Sequence, residues 1–240
     1  MLYYNKALIF DYNRPIGTWA LCQVKSESWG VRFLTEQEKE NHANLKSPKR
    51  RKEWLSSRVA LKQILMDLGR IESPCECLVK KDQFGCPHIN LVKKSPSATV
   101  NCSISHKNGF ASVCLSWGAE IKLGIDMECV SEKPFKLRRA FSHADDLLTS
   151  IKDAKEYYTV LWACKEAASK VIGMGLLKDL KDLIVEADDD GRFAVFEKGR
   201  TVSRGTYDFV QGFVVAVCHK RLALSENHPA LEDGLETISI

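Results

Sequence analysis

The apolar and polar positions of this chain change period along its length, and the changes mark its elements. "GTWALCQV" (17–24) is an apolar run with polar breaks and predicts a strand. "SPKRRKEWLSSRVALKQILMDLG" (47–69) places Leu55, Val59, Ile64 and Leu68 near helical spacing. That predicts a long helix, with Ser47 as N-cap, Pro48 at its first position and Gly69 as its stop. "CLVKKDQFGCPHINL" (77–91) reads as a strand, a turn and a short strand. Residues 99–117 read as two strands joined at Lys107-Asn108-Gly109, and 120–130 as another strand. A helical region is expected over 132–173. There Ser142 would cap "HADDLLTSI", and Asp153 would open a long helix ended by Gly173 and Gly175. The stretches 192–199 and 207–219 read as closing strands. This order predicts an α+β protein of two similar lobes meeting near 115–120. The expected division is 1–117, 118–220 and a peripheral tail 221–240. No sequence repeat relates the halves.

On the predicted helix at 153–173, Leu161, Cys164, Ala168 and Val171 fall on the face of Tyr157 and form a core seam. Trp162, Glu166 and Lys170 share the opposite stripe. A solvated Glu–Lys pair at this spacing contributes only about 0.2–0.5 kcal/mol. The Trp alters that reading, because a large ring is rarely left wholly in water. Another lobe, a ligand or both would cover this face.

Other stretches carry candidate chemistry. In "GIDME" (124–128), Asp126 and Glu128 lie two apart on a predicted strand and point the same way. Such a pair suits either a solvent-facing sheet edge or a hard cation, and Glu166 would complete a Mg²⁺ set. In "SISH" (103–106), Ser105 and His106 precede a turn and are candidate donors to a phosphate, or simply a turn with an exposed His. "KSPKRRK" (46–52) holds five basic residues in seven. At a helix start they oppose the macrodipole, so a phosphate-rich ligand would offset a real penalty. Arg51 and Arg58 continue that face. The run also fits a nucleic-acid patch or a solvated helix start, although no aromatic residues interleave it as in a single-strand stacking platform.

Composition narrows the class. The chain is 45% hydrophobic and 28% charged, an ordinary globular balance, and its +4 charge does not by itself imply nucleic acid. The nine cysteines include no CxxC pair, which predicts a reduced, cytoplasmic protein. Asp11 and Arg14 interrupt the N-terminal apolar run, and no segment approaches membrane-spanning length. The expectation is a protein that uses neither membrane nor nucleic acid.

Taken in order, "SISH", "GIDME", "FSHAD" (141–145) and "WACKEAASK" (162–170) resemble the motifs of the 4′-phosphopantetheinyl transferases, in the two-lobed surfactin-type branch. "EWLSSRVALK" (53–62) resembles that family's early helix. The resemblance runs from about residue 45 to 219 and implies a pseudo-dimeric pair of α/β lobes with the site in their cleft. It implies transfer of the phosphopantetheine arm of coenzyme A to a serine of an apo acyl or peptidyl carrier protein, with Mg²⁺, by a monomer. A coenzyme A- or carrier-binding relative without catalysis is the alternative.

The resemblance implies that Asp126, Glu128 and Glu166 hold the metal, and that Glu166, Lys170 and Asp126 carry the chemistry. It places Lys46, Arg51, Arg58, Ser105, His106, Asp126 and Lys170 against coenzyme A. Asp145 stands where relatives often carry a Glu. "GCPHI" (85–89) puts Cys86 where relatives often carry a phosphate-binding lysine. Either Lys80, Lys81 or Arg58 then supplies that charge, or coenzyme A affinity is lower.

Overall fold

A computed structural model describes residues 2–11, 14–83, 85–91, 100–118, 120–173 and 179–222. The first half runs β1 (Leu2–Asp11), β2 (Arg14–Val24), α1 (Glu27–Gly30), α2 (Glu36–Ala43), α3 (Pro48–Asp67), β3 (Cys77–Lys81), β4 (Pro87–Leu91), β5 (Val100–Lys107) and β6 (Phe110–Trp117). The second half runs β7 (Ile121–Cys129), α4 (Glu132–Leu137), β8 (Leu147–Leu148), α5 (Ala154–Ile172), β9 (Leu183–Ala187), β10 (Arg192–Glu197), β11 (Arg200–Val210) and β12 (Phe213–Arg221). One sheet has the order β1-β2-β6-β5, a second β7-β12-β11-β10-β9-β8, and β3-β4 form a separate ribbon. The mixed α+β class is therefore present.

Period-two alternation builds four layers. Ala20, Cys22 and Val24 of β2, with Val113 and Leu115 of β6, pack outward against Leu55, Val59, Leu61 and Ile64 of α3. The intervening Trp19 and Leu21 face inward, against Ile125, Met127, Val215 and Val217 of the second sheet. Val214, Ala216 and Cys218 of β12 face outward against α5 through Leu161, Cys164 and Ala168. Each large aliphatic side chain removed from water in these layers contributes about 1.5–3 kcal/mol.

Both long helices are anchored by a buried lysine. Lys62 of α3 donates to the Phe33 carbonyl at 2.7 Å and to the Glu38 carboxylate, whose other oxygen accepts the Val79 N–H at 3.1 Å. Lys165 of α5 donates to the Phe141 carbonyl at 2.9 Å and to Asp146 Oδ2 at 2.7 Å; Asp146 Oδ1 accepts the Val185 N–H at 2.9 Å. In both, the acid bridges the helix to a strand beyond it.

Several expectations are met and several are corrected. Ser47 caps α3, accepting from the Arg50 N–H, and Asp153 caps α5. Gly173 ends α5 with a left-handed backbone, φ 76°; Gly175 lies outside the described residues. No helix follows Ser142: its hydroxyl donates back to the Arg138 carbonyl, closing the preceding turn. Asp146 ties the segment beyond it to α5 and β9, and β8 pairs parallel with β9. The stretch 207–219 is two strands joined at Gln211–Gly212, both with positive φ. β12 continues through Arg221, so that residue belongs to the sheet, while 223–240 lie outside the described residues. β1 escapes the periodicity because Leu8 and Phe10 are exposed beside buried Ile9. Trp162 is covered by the chain itself: its ring meets Phe141 edge-on at 4.9 Å.

Candidate functional site

The site forms where the open edge of β7 meets β5. β7 pairs with β12 on one side only. On the other, the Ile125 and Met127 N–H groups donate to the hydroxyls of Ser103 and Ser105, at 3.2 and 3.3 Å. Side chains of β5 thus replace a missing strand, satisfying donors that burial would otherwise leave costly. Gly124 brings α5 close: a Cβ there would lie 2.0 Å from the Ala167 carbonyl oxygen. That approach lets Lys170 reach across to the strand.

Two side chains converge on Asp126, which is 7% exposed. Its Oδ1 accepts from Ser105 Oγ at 2.8 Å and from Lys170 Nζ at 2.9 Å. Lys170 also donates to the Ile125 carbonyl at 2.7 Å. Asp126 Oδ2 is buried and has no partner among the described residues. Glu128, on the same face, pairs with Lys107 at 2.5 Å. Burial pushes the Glu166 carboxyl above its ordinary range, and the charge of Asp126 adds to the rise; Lys170 pulls the other way and Glu128 adds a little more.

A cationic group adjoins these carboxylates. Partial burial lowers the His106 pKa, Glu53 opposes the fall, and the charges of Lys81, Lys170 and Arg50 reinforce it. Lys81 is lowered first by partial burial, then by the charges of Arg58, Arg50 and Lys170. Glu53 of α3 holds the β5–β6 turn, accepting the Gly109 N–H at 3.1 Å, with its other oxygen 3.9 Å from His106 Nε2. Lys170 therefore holds Asp126 while its charge also acts on Glu166, His106 and Lys81.

The sequence candidates separate in space. Asp126, Glu128, Glu166 and Lys170 are neighbours, with Ser105 and His106 beside them. The proton of Ser105 is committed to Asp126, so this serine positions a carboxylate. Arg58 is buried, stacked 4.3 Å over Trp54, with its Nε 3.8 Å from Glu38. Arg51 turns to Glu27 at 3.4 Å, and Lys46 is exposed ahead of α3. Asp145 is exposed, 3.5 Å from His143. The charges of Lys81 and Arg50 also act on His106, and that of Arg58 acts on Lys81 ahead of Arg50's. Lys81 is one of the side chains offered in place of a lysine at Cys86, whereas Arg50 is hidden in a basic run whose facing only the helix cap decides.

The decisive stretch is β7 through β12. A family model described as ACPS, the 4′-phosphopantetheinyl transferase superfamily, matches residues 122–218. Over that segment the chain is similar to the 4′-phosphopantetheinyl transferase superfamily. The match contains Asp126, Glu128, Glu166 and Lys170. It stops short of Ser105, His106, Lys81 and Arg50; of these, Ser105 contacts the matched segment, at Asp126 and Met127. No curated protein matches the chain. Among the described residues, no helix is long and apolar enough to cross a membrane.

Transferases of this superfamily take coenzyme A, and a hard divalent cation fits the donor chemistry here. One buried carboxylate oxygen of Asp126 lacks a partner among the described residues, and Glu166 is destabilised as an anion by burial first and by the charge of Asp126 second. A cation would relieve both. Among the described residues, no three His, Cys, Asp or Glu side chains converge closely enough to hold one as they stand. Glu128 is turned to Lys107.

Proposed function

We propose that this chain transfers the 4′-phosphopantetheine arm of coenzyme A to a serine of an apo acyl or peptidyl carrier protein, dependent on Mg²⁺, releasing 3′,5′-ADP. One observation supports the reading above the others: a cluster of cations and a cluster of carboxylates share Lys170. Each cluster alone is unfavourable. A polyphosphate would relieve the first and a divalent cation the second, and coenzyme A with Mg²⁺ brings both charges together.

In this reading Arg50, Lys81 and His106 bind phosphate oxygens of the nucleotide. Asp126, Glu128 and Glu166 would hold Mg²⁺, which when bound spreads the pyrophosphate's charge and holds its geometry. Ser105 fixes the rotamer of Asp126. Glu166, its proton affinity raised by burial, takes the proton of the carrier's serine as that oxygen attacks the phosphorus next to pantetheine. The bond to the leaving 3′,5′-ADP breaks, and Lys170 stabilises the negative charge that develops on it.

The matching strand paths, β2-β6-β5 and β7-β12-β11, support a pseudo-dimeric pair of α/β lobes with this site between them. A cleft built within one chain suits a monomer, and nine free cysteines suit a reducing cytoplasm. Incubation with coenzyme A, Mg²⁺ and a panel of apo carriers tests the reaction by intact mass. A phosphopantetheine mass gain is expected on at least one carrier. Coenzyme A binding by calorimetry without any such gain would favour a non-catalytic relative.

A further inference from the structure

Both carboxylates of the β7 pair are already met by lysines, in different ways. Lys170 leaves one oxygen of Asp126 unpartnered, whereas Lys107 lies 2.5 Å from Glu128 Oε2. Lys107 is not a wandering surface side chain. It is the last residue of β5, opposite Phe110, before a tight turn with positive φ at Asn108 (50°) and Gly109 (79°). That turn is pinned on two sides. The Asn108 amide donates to Cys129 Sγ at 3.1 Å, and the Gly109 N–H donates to Glu53 at 3.1 Å. The anchors reach β7 and α3, so the backbone carrying Lys107 is fixed relative to Glu128. The pair is partly shielded, with side-chain exposures of 30% and 18%.

We propose that Lys107 is a resident counter-ion that competes with the divalent cation for Glu128, and so sets how tightly the β7 carboxylates bind metal. The proposal rests on the metal reading given above. Without the cation, Lys107 neutralises Glu128 and spares β7 an unpaired negative charge beside Asp126, which Lys170 already pairs. Metal binding must displace the ammonium, so the lost ion pair weakens affinity. Lys107 is a positioning residue for Glu128.

The test is direct binding of Mn²⁺ to the full chain by calorimetry, without substrates. Wild type is compared with Lys107→Met, Lys107→Gln, Glu128→Gln, Asp126→Asn and the double variant Lys107→Met/Glu128→Gln, after circular dichroism shows that each is folded. Both Lys107 variants are expected to bind Mn²⁺ about tenfold more tightly, roughly the scale of one charge-assisted contact. Glu128→Gln should bind more weakly, and removing Lys107 in that background should return no affinity. A merely structural lysine predicts the opposite, since its loss would loosen the turn and weaken binding. Unchanged or weaker binding in both Lys107 variants, with Asp126→Asn and Glu128→Gln still impaired, overturns the role of Lys107 and leaves the metal reading standing. Equal Mn²⁺ affinity in wild type, Asp126→Asn and Glu128→Gln overturns both.

Discussion

The helix–sheet unit of α3 on β2 and that of α5 on β7 share a frame but differ on one face. Both helices bury a lysine that binds a carbonyl and an acid, and each acid reaches on to a strand N–H. The outward face of β2 is Ala20, Cys22 and Val24, all sealed under α3. The outward face of β7 is Gly124, Asp126 and Glu128, reached by Lys170. The lysine–acid network therefore belongs to the frame, and in the proposed function the carboxylates belong to the chemistry. A buried ionic network is not by itself a sign of a catalytic site.

Breaking the shared frame should have the largest effect. Lys62→Met and Lys165→Met each strip a buried carboxylate of its hydrogen-bonded lysine, so each should lose about 3–5 kcal/mol in urea unfolding, with Lys62→Met at the lower end because Arg58 stays 3.8 Å from Glu38. A small loss in one and a large loss in the other would break the equivalence. Next come the residues found in one unit only. Glu166→Gln should lower turnover about 10²–10³-fold while leaving the circular dichroism spectrum unchanged; wild-type turnover would remove Glu166 from the mechanism.

Smaller effects sharpen the boundary of the site. Lys81→Ala should raise the KM for coenzyme A about tenfold, the scale of one charge-assisted contact. Arg51→Ala, whose guanidinium faces Glu27, should change it less than about twofold. Equal effects would place Arg51 on the ligand. The smallest effect concerns stability. The Glu166 pKa is raised on folding, so its protonated form is the one the fold favours. The associated stability is present below the unfolded pKa and lost as pH rises through the folded value. Glu166→Gln should therefore melt higher than wild type at neutral pH, by on the order of 2 °C. The gap should close as pH falls toward 4. A pH-independent gap measured by calorimetry would refute the cause assigned to the shift.

Legibility followed the strength of the local signal. α3 and α5 show in their helical period and in the caps Ser47 and Asp153. β1 does not show, because exposed Leu8 and Phe10 blur its alternation. The 143–151 segment carries helix-compatible residues, yet Asp146 is drawn into the Lys165 network and the backbone follows it. Asp126, Glu128, Glu166 and Lys170 stand out as residue types at strand and helix spacing. Lys81 shows only as one of three charges that could replace a lysine at Cys86, and Arg50 and Lys107 do not stand out, because single charged residues are ordinary until their neighbours are known.

The sequence by itself determined the two long helices, most of the strands, the facing of Asp126 and Glu128, and the resemblance that names the chemistry. These depend on period, caps and local motifs, which act over a few residues. The tertiary structure alone decided that Ser105 serves Asp126, that Lys170 bridges two opposed charge clusters, that Arg58 is buried, and that Lys107 sits on Glu128. Those facts come from the meeting of β5, β7 and α5. Electrostatic pairing depends on distance in space, and no spacing along the chain encodes it.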